Sequence, residues 1–254
     1  MVAAAFFDLD GTLTRENTGR LWFRRERAEG RLRLGQAMEA GFWLGLYSVG
    51  LMRADTALSR AVGTIKGVSE AELGQRIARF YAEEVAGTFA PGGLQAVREH
   101  QAKGEPVVLL TAASTYLAGC VLAELNLDGA LALGFRTDEA GAFTGELVLP
   151  ACYGAGKVDH ALAWAAARGI DLRDCAFYTD SITDLPMLER VGTPVAVHPD
   201  PRLLRVARQR GWPVLDWGGL RPLDSEAPEI ESGRLRRLAG RARSRLRAVR
   251  NKPG

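Results

Sequence analysis

Six short apolar runs, at residues 2–7, 106–110, 130–135, 176–179, 194–197 and 213–215, recur along the chain with helical patterns between most of them. Each run is bounded by turn residues and reads as a buried strand. The helical patterns cover residues 92–103, 115–125, 157–168, 185–191 and 201–209. Strands that alternate with helices predict an α/β fold, a Rossmann-like doubly wound parallel sheet covered on both faces. One antiparallel hairpin is expected within this alternation, at residues 131–149, where Asp138-Glu139-Ala140-Gly141 supplies the turn chemistry.

The first run is separated from the second by residues 15–90, which hold helix formers and no convincing strand. That is too long for an ordinary connection between a strand and a helix. It reads as a helical cap inserted after the first strand, over the C-terminal edge of the sheet, with joints near Gly87 and Pro91-Gly92-Gly93. The expected division is a core domain of residues 1–14 and 91–217, a cap of residues 15–90, and a C-terminal extension of residues 218–254. A chain of 254 residues with 47% apolar content is long enough to bury such a core.

Charge is unevenly spread. Residues 234–252 carry eight arginines and one lysine without an acid, leaving 24 basic against 30 acidic residues, a net of −6, over residues 1–233. The overall charge of +3 is therefore a property of the tail, and no nucleic-acid partner is expected for the body. Cys120, Cys152 and Cys175 are odd in number and widely spaced, so neither a disulfide framework nor a spaced zinc site is expected. The start lacks the pattern of a signal peptide, and the longest uncharged apolar run, residues 40–52, is 13 residues against the roughly 20 that span a bilayer. A cytoplasmic location follows as the expectation. The sequence sets no oligomeric state.

In an open parallel sheet, ligands bind beyond the carboxyl ends of the strands. There the chain places Asp8 and Asp10 after the first run, Thr111 after the second, and Asp180 and Asp184 after residues 176–179. Lys157 follows a glycine-bearing loop, Tyr153-Gly154-Ala155-Gly156, and opens a helix whose N-terminal amides favour anions. Three acids on one edge repel one another unless a cation sits among them, and oxygen ligands suit Mg²⁺, which commonly also holds substrate phosphate. The residue types then supply the parts of phosphoryl transfer: a carboxylate to attack phosphorus, another to move protons, and a hydroxyl and a lysine to hold phosphoryl oxygens.

Asp8-Leu9-Asp10-Gly11-Thr12, Leu109-Leu110-Thr111-Ala112-Ala113-Ser114, Lys157 and Tyr178-Thr179-Asp180-Ser181-Ile182-Thr183-Asp184-Leu185-Pro186 resemble the four ordered motifs of the haloacid dehalogenase superfamily of phosphohydrolases. The likeness covers about residues 2–217, and the insert resembles the C1 cap of the phosphoserine phosphatase-like subclass, IB. The resemblance implies that Asp8 is the nucleophile forming an aspartyl phosphate, and that Asp10 protonates the leaving oxygen and then activates water. It implies phosphate binding by Thr111, Ala112 and Lys157, Mg²⁺ ligation by Asp8, the carbonyl of Asp10 and Asp180, and support of the metal by Asp184.

The expected substrate is a small phosphomonoester, phosphoserine-like, with Arg15 and Glu16 as candidate contacts to an amino acid's carboxylate and amine. Gly11, Thr111-Ala112-Ala113 and Asp180-Ser181-Ile182-Thr183-Asp184 differ from the residues usual in phosphoserine phosphatase itself. Two alternatives stand beside this reading. Residues 40–52 and the tail, where Leu235, Leu238, Ala242, Leu246 and Val249 form one apolar stripe among arginines, suit a lipid phosphatase with peripheral membrane contact. A non-catalytic binding protein on the same fold is the other. His100, His160 and His198 form no cluster and read as surface or packing residues. Trp22, Phe23, Phe42, Trp43 and Tyr47 read first as packing residues of the insert and second as substrate contacts.

Overall fold

The computed structural model describes residues 2–31 and 62–218. The apolar run at residues 40–52, with Phe42, Trp43 and Tyr47, and the basic stretch from residue 229 onward lie outside the described residues.

Eight strands are present among them: β1 (Ala4–Phe7), β2 (Val107–Ser114), β3 (Gly129–Leu133), β4 (Phe135–Thr137), β5 (Phe143–Leu147), β6 (Cys175–Thr179), β7 (Thr193–Val197) and β8 (Val214–Leu215). Six form one sheet in the order β3-β2-β1-β6-β7-β8, with parallel pairing throughout. Every residue of β1 is buried, because both faces of a parallel sheet are covered. Phe7, Val107, Leu109 and Ala176 face one apolar cluster, while Phe6, Val108, Leu110 and Phe177 face a second. The period-2 alternation of side chains along a strand thus feeds two cores, one on each side.

The helices are α1 (Thr18–Ala28), α2 (Glu70–Phe80), α3 (Pro91–Ala102), α4 (Thr115–Glu124), α5 (Ala155–Ala166), the single turn α6 (Leu185–Leu188) and α7 (Pro201–Arg210). Their starts are written locally. Asn17, Ser69, Ser114 and Asp200 accept hydrogen bonds from amides of the first turns of α1, α2, α4 and α7, each worth about 1 kcal/mol. Proline opens α3 and α7, where its missing amide costs no hydrogen bond. A π turn, Tyr81–Val85, continues α2. No helix among the described residues is long and apolar enough to cross a membrane.

Three expectations are corrected. The hairpin is shorter than residues 131–149, because Leu131 and Leu133 pair in parallel with Leu110 and Ser114 of the main sheet; only β4 and β5 form the antiparallel pair. The second strand runs past residue 110 to Ser114, through a register shift that keeps β3 as its partner, so Thr111 lies within β2 rather than after it. The helix expected over residues 185–191 ends at Leu188.

The long connection after β1 leaves and returns at one place. Thr14 and Phe89 form an antiparallel bridge, flanked by bonds from the Arg15 amide to the Thr88 carbonyl (3.0 Å) and from the Ala90 amide to the Leu13 carbonyl (2.8 Å). A second attachment joins residues 67–70 to the hairpin: Gly67 N–H donates to Phe143, Phe143 N–H to Val68 and Glu70 N–H to Gly141, at 2.8–2.9 Å. Tyr116 of α4 adds a bond from its hydroxyl to Glu70 Oε1, 3.1 Å. Trp22 packs edge-on against Phe80, with ring centroids 5.2 Å apart, and so serves the packing of α1 on α2.

Candidate active site

β1 and β6 are neighbours in register, Phe7 beside Tyr178, so the residues that follow them emerge side by side. Asp8 N–H still donates to the Tyr178 carbonyl at 2.9 Å, which fixes the first carboxylate at the sheet edge. Gly11 follows with φ +72°, a conformation that costs glycine little. A Cβ there would lie 2.2 Å from Asp180 Oδ2, so this glycine is what lets the Asp180 carboxylate lie against the Asp10-Gly11 backbone.

Lys157 lies in the first turn of α5, fully buried, and reaches across the sheet edge. Its Nζ donates to Asp8 Oδ1 at 2.9 Å and to Asp184 Oδ2 at 2.6 Å. The same Asp184 oxygen accepts the Thr179 hydroxyl at 2.7 Å. Burial alone would lower the lysine's pKa, but the charges of Asp184 and Asp8 and their hydrogen bonds outweigh it, and the ammonium is held protonated. The carboxylates feel the opposite balance. Burial pushes Asp8 up to about 7 against the pull of Lys157. Burial, then the charges of Asp8 and Asp184, push Asp180 up to about 8.

Asp10 is held from α1: its Oδ1 accepts the amide of Thr18, the first residue of that helix, at 2.6 Å. Burial raises its pKa, and this amide opposes the shift. Thr111 is buried in β2, and its Oγ1 accepts the Ala113 amide at 3.0 Å; Ala112 between them is half-buried. The Thr111 backbone also meets the buried Cys152 thiol, whose surroundings include Lys157, Asp8 and Asp184; burial is the main cause that pushes this thiol up to about 12. Arg15 and Glu16 lie between β1 and α1, beside the bridge of Thr14 to Phe89. Arg15 is half-buried, whereas Glu16 is exposed and its carbonyl accepts the Thr14 hydroxyl at 2.9 Å.

The structure therefore brings Asp8, Lys157 and Asp184 into direct contact and sets Asp180 and Asp10 beside them, while the Thr111 backbone meets Cys152, whose thiol feels the charges of that group. Three participants escaped the sequence reading. Thr179 is a threonine in a strand, where threonine is common. The Thr18 contact is made by backbone, and its one local sign is the N-cap Asn17. Cys152 has no partner spacing to draw attention to it.

Among the described residues, four carboxylates, Asp8, Asp10, Asp180 and Asp184, face one ammonium, Lys157, a formal imbalance of −3. An all-oxygen group with that imbalance, and with two acids held near neutrality by burial, fits a hard divalent cation. No cluster of three or more His, Cys, Asp or Glu side chains arranged to hold a metal occurs among the described residues. Two carboxylates, the carbonyl of Asp10 and water can still furnish a Mg²⁺ shell, since that ion binds by one or two carboxylates and keeps several waters.

Residues 5–189 match the model of the haloacid dehalogenase-like hydrolase family. The phosphoserine phosphatase SerB1 of Mycobacterium tuberculosis is 33% identical over 223 residues, 85% of this chain and 71% of that protein. A histidinol-phosphatase of Neisseria meningitidis serogroup C is 28% identical over 218 residues, 84% of this chain and 98% of that protein. A Bordetella pertussis Tohama I protein of unknown function superposes with a TM-score of 0.78 at 27% identity, covering 85% of this chain and 98% of that one. The chain belongs to the haloacid dehalogenase-like hydrolase family. Within it, the chain is a phosphatase with the family's α/β Rossmann-like fold.

Proposed function

We propose that this phosphatase is Mg²⁺-dependent, works through an aspartyl phosphate on Asp8, and acts on a small phosphomonoester of the phosphoserine type. The observation that carries the reading is the bridge of Lys157 between Asp8 and Asp184 at a sheet edge that also presents Asp10 and Asp180. The names of the two relatives support the substrate class: one is called a phosphoserine phosphatase and the other a histidinol-phosphatase, and each name refers to a small amino-bearing phosphomonoester.

Asp8 is oriented by Lys157 and by the strand end, so its free oxygen attacks phosphorus and the bond to the leaving oxygen breaks. Asp10, whose raised pKa suits a group that must carry a proton, donates to that oxygen. It then takes a proton from water, which attacks the same phosphorus and returns Asp8 as a carboxylate. Thr111, the Ala112 amide and Lys157 hold the phosphoryl oxygens. Asp8, the Asp10 carbonyl and Asp180 would hold Mg²⁺, which would supply positive charge against the phosphoryl oxygens. In the same reading residues 15–90 form a cap over the core of residues 1–14 and 91–217, Arg15 and Glu16 contact the leaving group, and residues 218–254 form an extension. All three cysteines are free and buried, which suits a reducing cytoplasm.

The test is a panel of phosphoserine, histidinol phosphate, sugar phosphates and lipid phosphates, assayed with Mg²⁺ and with chelator. Small amino-bearing phosphomonoesters should be turned over fastest, and only with metal. Acid quenching with radiolabelled substrate should leave hydroxylamine-sensitive label on Asp8. A lipid phosphate hydrolysed best would replace the substrate class, and turnover without label would remove the covalent intermediate.

A further inference from the structure

Thr179 is the last residue of β6, fully buried, and paired in register with Ala196 of β7. Its hydroxyl has two partners that settle its proton. It donates to Asp184 Oδ2 at 2.7 Å, and it accepts the Ser181 amide at 3.3 Å. The second bond closes a turn around Asp180, of the kind in which a threonine oxygen accepts an amide two residues on. The first falls on the very oxygen that holds Lys157 Nζ at 2.6 Å.

Lysine is a point charge on a flexible four-carbon stem, so its place is set by its partners rather than by its own shape. One of those partners, Asp8, is a reacting group, and Asp184 is therefore the fixed reference for the ammonium. Asp184 itself ends a short 3₁₀ turn, Ile182–Asp184, outside the sheet. Among the described residues, its side chain bonds Lys157 of α5 and, in the sheet, the Thr179 hydroxyl. A β-branched residue with a restricted χ1, set in the strand, is well suited to hold it.

We propose that Thr179 is a positioning residue for phosphoryl transfer: its hydroxyl orients Asp184, and through Asp184 it places the Lys157 ammonium against Asp8. The proposal rests on the phosphatase reading above. It assigns to Thr179 no contact with substrate.

The test compares Thr179→Val, which keeps shape and removes the hydroxyl, with Thr179→Ser, which keeps the hydroxyl and removes a buried methyl. Each is assayed on an aryl phosphate, with thermal unfolding measured in parallel. A misplaced ammonium should lower kcat in the Val variant by about tenfold to a hundredfold, with KM moving by no more than about threefold. The Ser variant should keep at least about a third of the parent's kcat even though its unfolding midpoint falls, since it loses packing and not orientation. A merely structural residue would make turnover follow stability. Should the Val variant not fold, Thr179→Ala is the second hydroxyl-free form, and the same fall in kcat is expected of it. The proposal is overturned if the folded hydroxyl-free variant stays within about tenfold of the parent, or if the Ser variant lies nearer to it than to the parent. A parent that releases no phosphate from any substrate sinks the phosphatase reading itself, whereas an active parent with an equally active Val variant sinks the positioning role alone.

Discussion

β1 and β6 run between two buried polar groups that solve opposite problems. At the Asp8 end, four carboxylates share one ammonium. On the face occupied by Phe7 and Tyr178, which stack with centroids 4.5 Å apart, His100 bonds Glu105 Oε2 at 2.5 Å and the Tyr178 hydroxyl at 2.9 Å. The other Glu105 oxygen accepts the Val2 amide at 2.8 Å. Burial would raise Glu105, but the bonds from His100 and Val2 win and hold its carboxyl below the usual range. Asp8 and Asp180 move the other way. A buried network that completes its own hydrogen bonds stabilises the fold. One left with surplus acid is poised for a charged ligand.

The largest expected effect breaks the comparison at its functional end. Asp8→Asn should lower turnover by about a thousandfold or more, because an amide cannot serve as the attacking carboxylate. The thermal midpoint should hold or rise, since the substitution removes an acid whose burial is unfavourable while Lys157 keeps Asp184. Phosphate release and unfolding measured on one preparation check both halves. A midpoint that drops steeply would show Asp8 to be as structural as Glu105.

Next in size is removal of the Lys157 ammonium. Lys157→Met leaves Asp8 and Asp184 buried without their shared donor, and breaking a buried ion pair from one side costs about 3–5 kcal/mol. Denaturant unfolding with and without the substitution reads the difference directly. A loss under about 1 kcal/mol would mean that the carboxylates simply take up protons in place of the ammonium.

A smaller effect is expected on the self-satisfied side. Glu105→Gln should cost about 1–3 kcal/mol by weakening the His100 and Val2 bonds, while kcat stays at the parent value. Its pH dependence has a definite sign. A carboxyl lowered by folding contributes stability above its unfolded pKa, and loses it as pH falls through the lowered value. The parent's advantage over Glu105→Gln should therefore persist at neutral pH and vanish only in acid, below the ordinary carboxylate range. A kcat that fell with the substitution would merge the two groups into one.

The two groups also differ in how much of them a sequence displays. Asp8, Asp10, Asp180 and Asp184 follow apolar runs, and a strand end in a parallel sheet is where a ligand meets the chain. Their convergence, and that of Lys157, could thus be expected from local pattern alone. The alternation of strands and helices likewise made the parallel sheet legible. The His100 group could not be read this way, because Tyr178 lies 78 positions from His100 and nothing local pairs them. The attachment of residues 67–70 to the hairpin escaped for a related reason: its bonds are backbone to backbone and leave no side-chain signature. Thr111 was placed one step off, after a strand rather than in it, since a register shift depends on the partner β3 and not on residues 107–114 themselves.

The smallest expected effect sharpens the contrast through pH. A carboxyl raised by folding contributes stability that is full below its unfolded pKa and lost as pH rises through the folded value, so Asp8 and Asp180 weaken the fold between about 4 and 8. Mg²⁺, which in the proposed function these two carboxylates would hold, would compete with the same protons, and its stabilisation should grow as they leave. The rise in unfolding midpoint on adding Mg²⁺ should then be larger at pH 8 than at pH 6, by on the order of 1 kcal/mol or about 2–4 °C for a chain of this size. Asp180→Asn should abolish that pH-dependent increment, and Glu105→Gln should leave it intact, because only Asp180 belongs to the group with surplus acid. Calorimetry of the parent and the two variants at both pH values distinguishes them, and an increment equal at pH 6 and pH 8 in the parent would separate the metal from these carboxylates.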